Sequence, residues 1–224
     1  MTNLDKAMEL FEQGDYEAAV KLFRPLAEQG DAEAQAMLAT CYANGLGVEE
    51  DYVETMKWLK KAAEQGHAEA QNGLAVGYDN GWGVPKDSTE AVKWYRTAAE
   101  QGHAQAQNNL GICYAYGDGV PKDFTEASKW WRKAAEQGHA GAQRNLGLCY
   151  VNGDGVSQDF TEAVKWLKKA VESGQAAAQY SLAVCYINGQ GVAQSYIEAR
   201  KLLKEAARQG YERAEALLKE IGEN

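Results

Sequence analysis

Proline is nearly absent, with three residues in 224. It breaks helices by removing a backbone donor and clashing with the preceding turn, so little here interrupts helix formation. Long apolar runs are missing too. None approaches the ~20 residues that cross a membrane, which excludes a membrane span. The opening Met1-Thr2-Asn3-Leu4-Asp5-Lys6 lacks the basic start and apolar stretch of a secretory signal. A cytoplasmic location is therefore expected. Positive charge is in deficit, with 23 Lys and Arg against 32 Asp and Glu and a formal net charge of −9. Binding to a nucleic-acid backbone needs clustered positive charge, so no nucleic-acid partner is expected.

Glycine, by contrast, is plentiful and periodic. Gly30, Gly66, Gly102, Gly138, Gly174 and Gly210 stand 36 residues apart. A fixed period in this range marks a repeat array. The stretch from Gly102 to Gln137, GHAQAQNNLGICYAYGDGVPKDFTEASKWWRKAAEQ, is one unit. Its first half spaces Ala104, Ala106, Leu110, Gly111 and Tyr114 along one helical stripe, and its second half does so with Ala127, Trp130, Trp131, Ala134 and Ala135. Gly117-Asp118-Gly119-Val120 lies between, where glycine past a helix end adopts positive φ. Asp123 with Glu126 has the spacing of a capping box. Asp51 with Glu54, Asp87 with Glu90, Asp159 with Glu162, and Ser195 with Glu198 repeat it. Neither helix buries its stripe alone, so each unit needs neighbours.

Counting outward gives a leading hairpin over 1–29, five units at 30–65, 66–101, 102–137, 138–173 and 174–209, and a terminal piece over 210–224 whose helix, 211–222, covers the end of the stack. The whole of 1–224 reads as a single domain. Pro25 falls inside the second helix of the leading hairpin, where a bend is expected.

The pattern Leu-Gly-x-x-Tyr-x-x-Gly-x-Gly-Val-x-x-Asp, then Ala-x-x-Trp and a closing Ala-Ala-Glu-Gln-Gly, resembles the Sel-one-like repeat (SLR), a relative of the tetratricopeptide repeat. The resemblance runs from Gly30 to Gln209. It implies an all-α, right-handed α-solenoid of antiparallel helix hairpins, about thirteen helices in all, and a scaffold or adaptor that binds a protein or extended peptide on its concave groove. It implies no reaction, so the chain is not expected to be an enzyme. The family's abundance in bacteria makes a bacterial adaptor the default, with a monomer as the default state.

Candidate chemistry gives way to structural readings. His67, His103 and His139 share one register in successive units, so they lie about a helix diameter apart and cannot converge on one metal ion. No metal and no cofactor is expected. Cys41, Cys113, Cys149 and Cys185 share another register, with Gly77 in the remaining unit. Equivalent positions sit roughly 10 Å apart, whereas a disulfide needs Cα atoms within about 7 Å. They read as small packing residues. The Gly-x-Gly turns follow helices and lack the Lys-Ser or Lys-Thr of a phosphate loop.

The groove is the better candidate. One row of exposed first-helix positions reads Ala36, Asn72, Asn108, Arg144, Tyr180; the next reads Met37, Gly73, Asn109, Asn145, Ser181; a third, at the helix end, reads Asn44, Asn80, Tyr116, Asn152, Asn188. Packing residues barely change between units, while the first two rows vary. Asparagine both donates and accepts, Arg144 suits a carboxylate, and Tyr116 and Tyr180 offer flat apolar contact. The expected partner-binding residues are Asn72, Asn108, Asn109, Arg144, Asn145, Tyr116 and Tyr180. Trp82 stands in a turn that carries Leu46, Asp118, Asp154 and Gln190 in other units, and reads as a possible contact on the convex side. Two other classes stay open: a consensus-like or engineered array without a native ligand, and a β-lactam-like small-molecule binder or hydrolase, whose paired cysteines are missing here.

Overall fold

The computed structural model describes Thr2–Gly222, and the described residues form thirteen α-helices and no strand. They are α1 (Asn3–Glu12), α2 (Tyr16–Glu28), α3 (Ala32–Asn44), α4 (Tyr52–Glu64), α5 (Ala68–Asn80), α6 (Ser88–Glu100), α7 (Ala104–Tyr116), α8 (Phe124–Glu136), α9 (Ala140–Asn152), α10 (Phe160–Glu172), α11 (Ala176–Asn188), α12 (Tyr196–Arg208) and α13 (Glu212–Glu220). They fall into two compact units. One extends to Ala106 and includes Asp118–Val120; the other comprises Gln107–Gly117 and the chain from Pro121 onward. In the first, each successive pair from α1 to α6 packs together in chain order. In the second, each successive pair from α8 to α13 does so.

The hairpins follow from their ends. Asp51, Asp87, Asp123 and Asp159 are N-caps whose carboxylates accept backbone N–H bonds from the first turn. Ser195 caps α12 in the same way. The glutamates three residues on are engaged elsewhere than the expected box: Glu54, Glu90, Glu126 and Glu162 pair with Lys57, Lys93, Lys129 and Lys165. A reciprocal capping box forms instead at Thr2 and Asp5. Helices α3, α5, α9 and α11 end on Gly45, Gly81, Gly153 and Gly189, all left-handed. Helix α2 stays continuous through Pro25.

Small residues sit where helices cross. A Cβ on Gly111 would meet Trp131, and one on Gly147 would meet Leu167. Gly77 replaces the cysteine of other units because Met56 occupies the space its side chain would need. The cysteines are free and buried. Burial pushes the Cys41 thiol up to about 11 and Cys149 up to about 12. Neither is a thiolate at neutral pH, so neither is poised as a nucleophile.

The second glycine of each turn has its own cause. Gly47, Gly83, Gly119, Gly155 and Gly191 all have positive φ. Each also sits against the first turn of the second helix one hairpin earlier. A Cβ there would overlap the backbone of Tyr16, Tyr52, Ser88, Phe124 or Phe160 respectively. These glycines seat one hairpin on the previous one.

At the chain's end α13 packs Ala214, Leu217, Leu218 and Ile221 onto the cluster around Leu203. Arg200 donates to the carbonyls of Ile221 and Gly222, at 3.2 Å each.

Candidate functional site

Each compact unit carries an open groove on its first helices. In the second unit, α7 and α9 line a groove of about 540 Å³ with Asn108, Ile112, Tyr116, Arg144, Asn145 and Leu148. Its floor is fixed by Trp131, whose indole N–H donates to the Asn108 carbonyl at 3.2 Å. Asn145 Nδ2 donates to Asn108 Oδ1, and Arg144 Nη1 donates to Asn145 Oδ1, both at 3.4 Å. The Arg144 Nε lies buried without a hydrogen-bond partner. Lys122 and Asp154 stand among the lining residues.

In the first unit, α3 and α5 line a groove of about 450 Å³ with Met37, Thr40, Leu59, Gly73, Val76 and Trp82. The Trp82 ring lies 5.8 Å from that of Tyr52, tilted by 35°. The two grooves occupy the same register, two periods apart: Thr40 corresponds to Ile112, Leu59 to Trp131, Gly73 to Asn145 and Trp82 to Asp154.

Several expectations need correction. Asn72 and Asn108 are buried, at 7% and 6% exposure, rather than displayed. Their position falls where the first helices close on one another, so the Asn108 side chain is engaged with Asn109 and Asn145. Trp82 belongs to the first-helix face and not the opposite one, because its turn folds back onto Tyr52 at the start of α4. Tyr180 is half-buried against Tyr211, with ring centroids 5.5 Å apart, and lines a different pocket with Arg200 and Leu217. The structure does bring Asn108, Arg144, Asn145 and Tyr116 to one groove, with Tyr116 75% exposed. Asn109 is half-buried beside them. The helix-end asparagines serve local bonds: Asn44 and Asn80 donate to the carbonyls of Thr40 and Val76 one turn back.

Sequence reasoning missed Tyr52 and Phe124, which reach the grooves from the starts of α4 and α8. It also missed Thr40, Val76, Ile112 and Leu148. Their signal was available, since each lies four residues beyond a first-row position and so one helical turn along the same face.

The histidines are helix caps. His67 and His139 accept the N–H of Ala70 and Ala142 through Nδ1, at 3.2 and 3.1 Å. His103 does so for Ala106 at 3.2 Å. Among the described residues no three of His, Cys, Asp or Glu gather as a metal site requires. Desolvation holds the His139 imidazole below its usual 6.5. A base with a depressed folded pKa makes the unfolded state take up the proton first. Stability from His139 should therefore be full above pH ~6.5 and fall as the pH drops below that. His139→Asp, which copies the Asp31 cap of α3, should flatten this slope. Melting curves of both proteins between pH 5 and 8 check it.

The repeat now has a name. A model of the Sel1 repeat matches the chain at residues 10–31, 32–67, 68–103, 104–139, 140–175 and 176–211. The chain belongs to the Sel1 repeat family. A Sel1 repeat protein of Oxalobacter formigenes has 38% identity over 96% of this chain and 85% of its own, with a TM-score of 0.90. A protective antigen of uropathogenic Escherichia coli strains, with an SLR fold, has 40% identity and a TM-score of 0.88. The match covers 95% of this chain but only 46% of that antigen. An immunity protein of Pseudomonas aeruginosa is more distant, at 26% identity and a TM-score of 0.53, covering 82% of this chain and 66% of its own. Among curated proteins no match is found. These likenesses fix the fold as an α-solenoid of Sel1 hairpins. Among the described residues no helix is long and apolar enough to cross a membrane.

Proposed function

We propose that this Sel1 repeat chain is an interaction scaffold that holds extended segments of partner proteins on its first-helix face and performs no chemistry of its own. One observation carries this reading. Two open grooves occupy the same register, two periods apart, and are framed by near-identical packing residues but lined by different ones. Packing constrains the frame, whereas the lining is free to follow a ligand.

In the second unit's groove, Arg144 brings a guanidinium whose Nη1 makes a long bond to Asn145, at 3.4 Å. A carboxylate on an incoming segment suits that fork. Asn145 offers an amide that both donates and accepts along an extended backbone. A surface already ordered by helix packing loses little entropy on binding.

Panning a displayed library of random peptides on the full chain tests the reading. Acid-containing peptides should be recovered on the natural chain and lost on Arg144→Ala/Asn145→Ala, while the melting temperature stays within a few degrees. Asn108 is left intact because it is buried. Recovery of the same peptides on both proteins would move the contact off this groove.

A further inference from the structure

The two grooves share a register but not a chemistry, and that difference points to a second partner class. We infer that the first unit's groove is a docking site for a protein segment carrying a large apolar side chain next to lysine or arginine. This rests on the scaffold reading above and names a ligand for the groove that reading left unassigned.

The apolar half of the argument is the groove's wall. Trp82 is 47% exposed and Tyr52 36%, and the two rings face the same opening. Exposed aromatic side chains on a rigid frame bury large area at small entropy cost and dominate binding energies at interfaces. Met37, Leu59 and Val76 complete the wall. Gly73 deepens it: a Cβ there would come to 3.2 Å from the Leu59 side chain, where the second unit has Asn145.

The charged half is the rim. Glu33 and Glu69 line this groove, and no lysine or arginine does. Each carboxylate faces a histidine, Glu33 to His67 at 3.1 Å and Glu69 to His103 at 2.8 Å. His67 and His103 accept a backbone N–H at Nδ1, which leaves Nε2–H to donate to the carboxylate. Each histidine thus offers one ring N–H to its glutamate, and no lysine or arginine lines the groove to pair with either carboxylate. The glutamate side chains are 48% and 73% exposed, so a cation can reach them from solvent. At the corresponding places the second unit has Gly141 for Glu69 and Asp154 for Trp82. The net charge of −9 further favours the approach of basic segments. A lysine or arginine beside an apolar anchor also gains from the Trp82 face.

Fluorescein-labelled peptides with a Leu-Phe-Leu centre, flanked by lysines in one and by glutamates in the other, test this on the full chain by polarisation. The lysine-flanked peptide should bind several-fold to about tenfold more tightly, the ratio expected from one or two exposed charge contacts. Trp82→Asp should abolish binding, and the turn tolerates aspartate because Asp118 and Asp154 stand there in later units. Glu33→Gln/Glu69→Gln should erase the preference between flanks while the apolar anchor still binds. Arg144→Ala/Asn145→Ala should leave this affinity unchanged, which separates the test from that of the other groove. Equal affinity for both peptides, binding that survives Trp82→Asp, or no binding at all would each overturn the inference. So would a concentration-dependent dimer in sedimentation that Trp82→Asp dissolves, because the groove would then hold a second copy of the chain.

Discussion

Replacing Gly155 by alanine is expected to destabilise the second unit by roughly 3 kcal/mol or more, from backbone strain and overpacking together. Gly153→Ala, two residues away in the same turn, should cost about half of that. Both glycines have positive φ, 67° and 78°. Each alanine is therefore forced into a left-handed conformation, at about 1–2 kcal/mol. Their surroundings differ. A Cβ on Gly153 meets only Gln158 and Val156 at 3.5 Å and beyond, an ordinary contact. A Cβ on Gly155 would overlap the carbonyl of Phe124 at the start of α8. Backbone cannot rotate away as a side chain can, so the hairpin must lift off its neighbour. Urea unfolding of the two variants gives the comparison. Equal losses would mean that conformation alone accounts for the second glycine and that hairpin seating has slack.

This pair of glycines also marks how far the sequence can be read. The period, the helix ends and the aspartate caps follow from local chemistry, because a cap acts within four residues. Gly153 is legible in this sense as the residue that closes α9. Gly155 is not, since its reason lies 31 positions earlier at Phe124, and only the stacked hairpins bring the two together. The groove divides similarly. Arg144, Asn145 and Tyr116 are legible as varying positions on a constant frame. Trp82 reads on the wrong side because a turn residue has no helical face to count along. Its side is decided by Tyr52, from a different helix. Asn72 and Asn108 read as surface because asparagine is polar, whereas the register at which they sit closes over them.

The same distance-in-sequence effect hides a row of buried glutamines, and altering one should be costly. Gln71 is 2% exposed. Its Nε2 donates to the Ala63 carbonyl at 3.0 Å, and its Oε1 accepts from Gln101 Nε2 at 2.6 Å. Gln35 repeats both bonds, to Ala27 at 2.9 Å and from Gln65 at 2.8 Å. Each glutamine thus ties a first helix to the ends of the second helices before and after it. Gln71→Glu keeps the shape but replaces the donor with an oxygen facing the Ala63 carbonyl and buries a charge. The expected loss at pH 7 is roughly 3 kcal/mol. Burial raises the folded pKa of the new carboxyl above its unfolded ~4.3. The folded state then holds the proton longer, so the loss appears as pH rises through the unfolded value and shrinks again in acid. Unfolding curves at pH 4 and pH 7 should differ for the variant by more than for the parent; a pH-independent loss would mean that the lost donor, not the charge, is the cause.

The converse change should stabilise. Ser173 stands where Gln65, Gln101, Gln137 and Gln209 stand in other units. Its side chain is too short to reach, and the buried Oε1 of Gln143 is left without a partner while Nε2 still donates to Ala135 at 3.1 Å. Ser173→Gln supplies the missing donor from a position already open to solvent. The expected gain is about 1 kcal/mol. In the background Gln143→Leu, which has no oxygen to satisfy, the same substitution should gain nothing. A gain that persists there would assign the effect to helix propensity at the end of α10 and not to the completed bond.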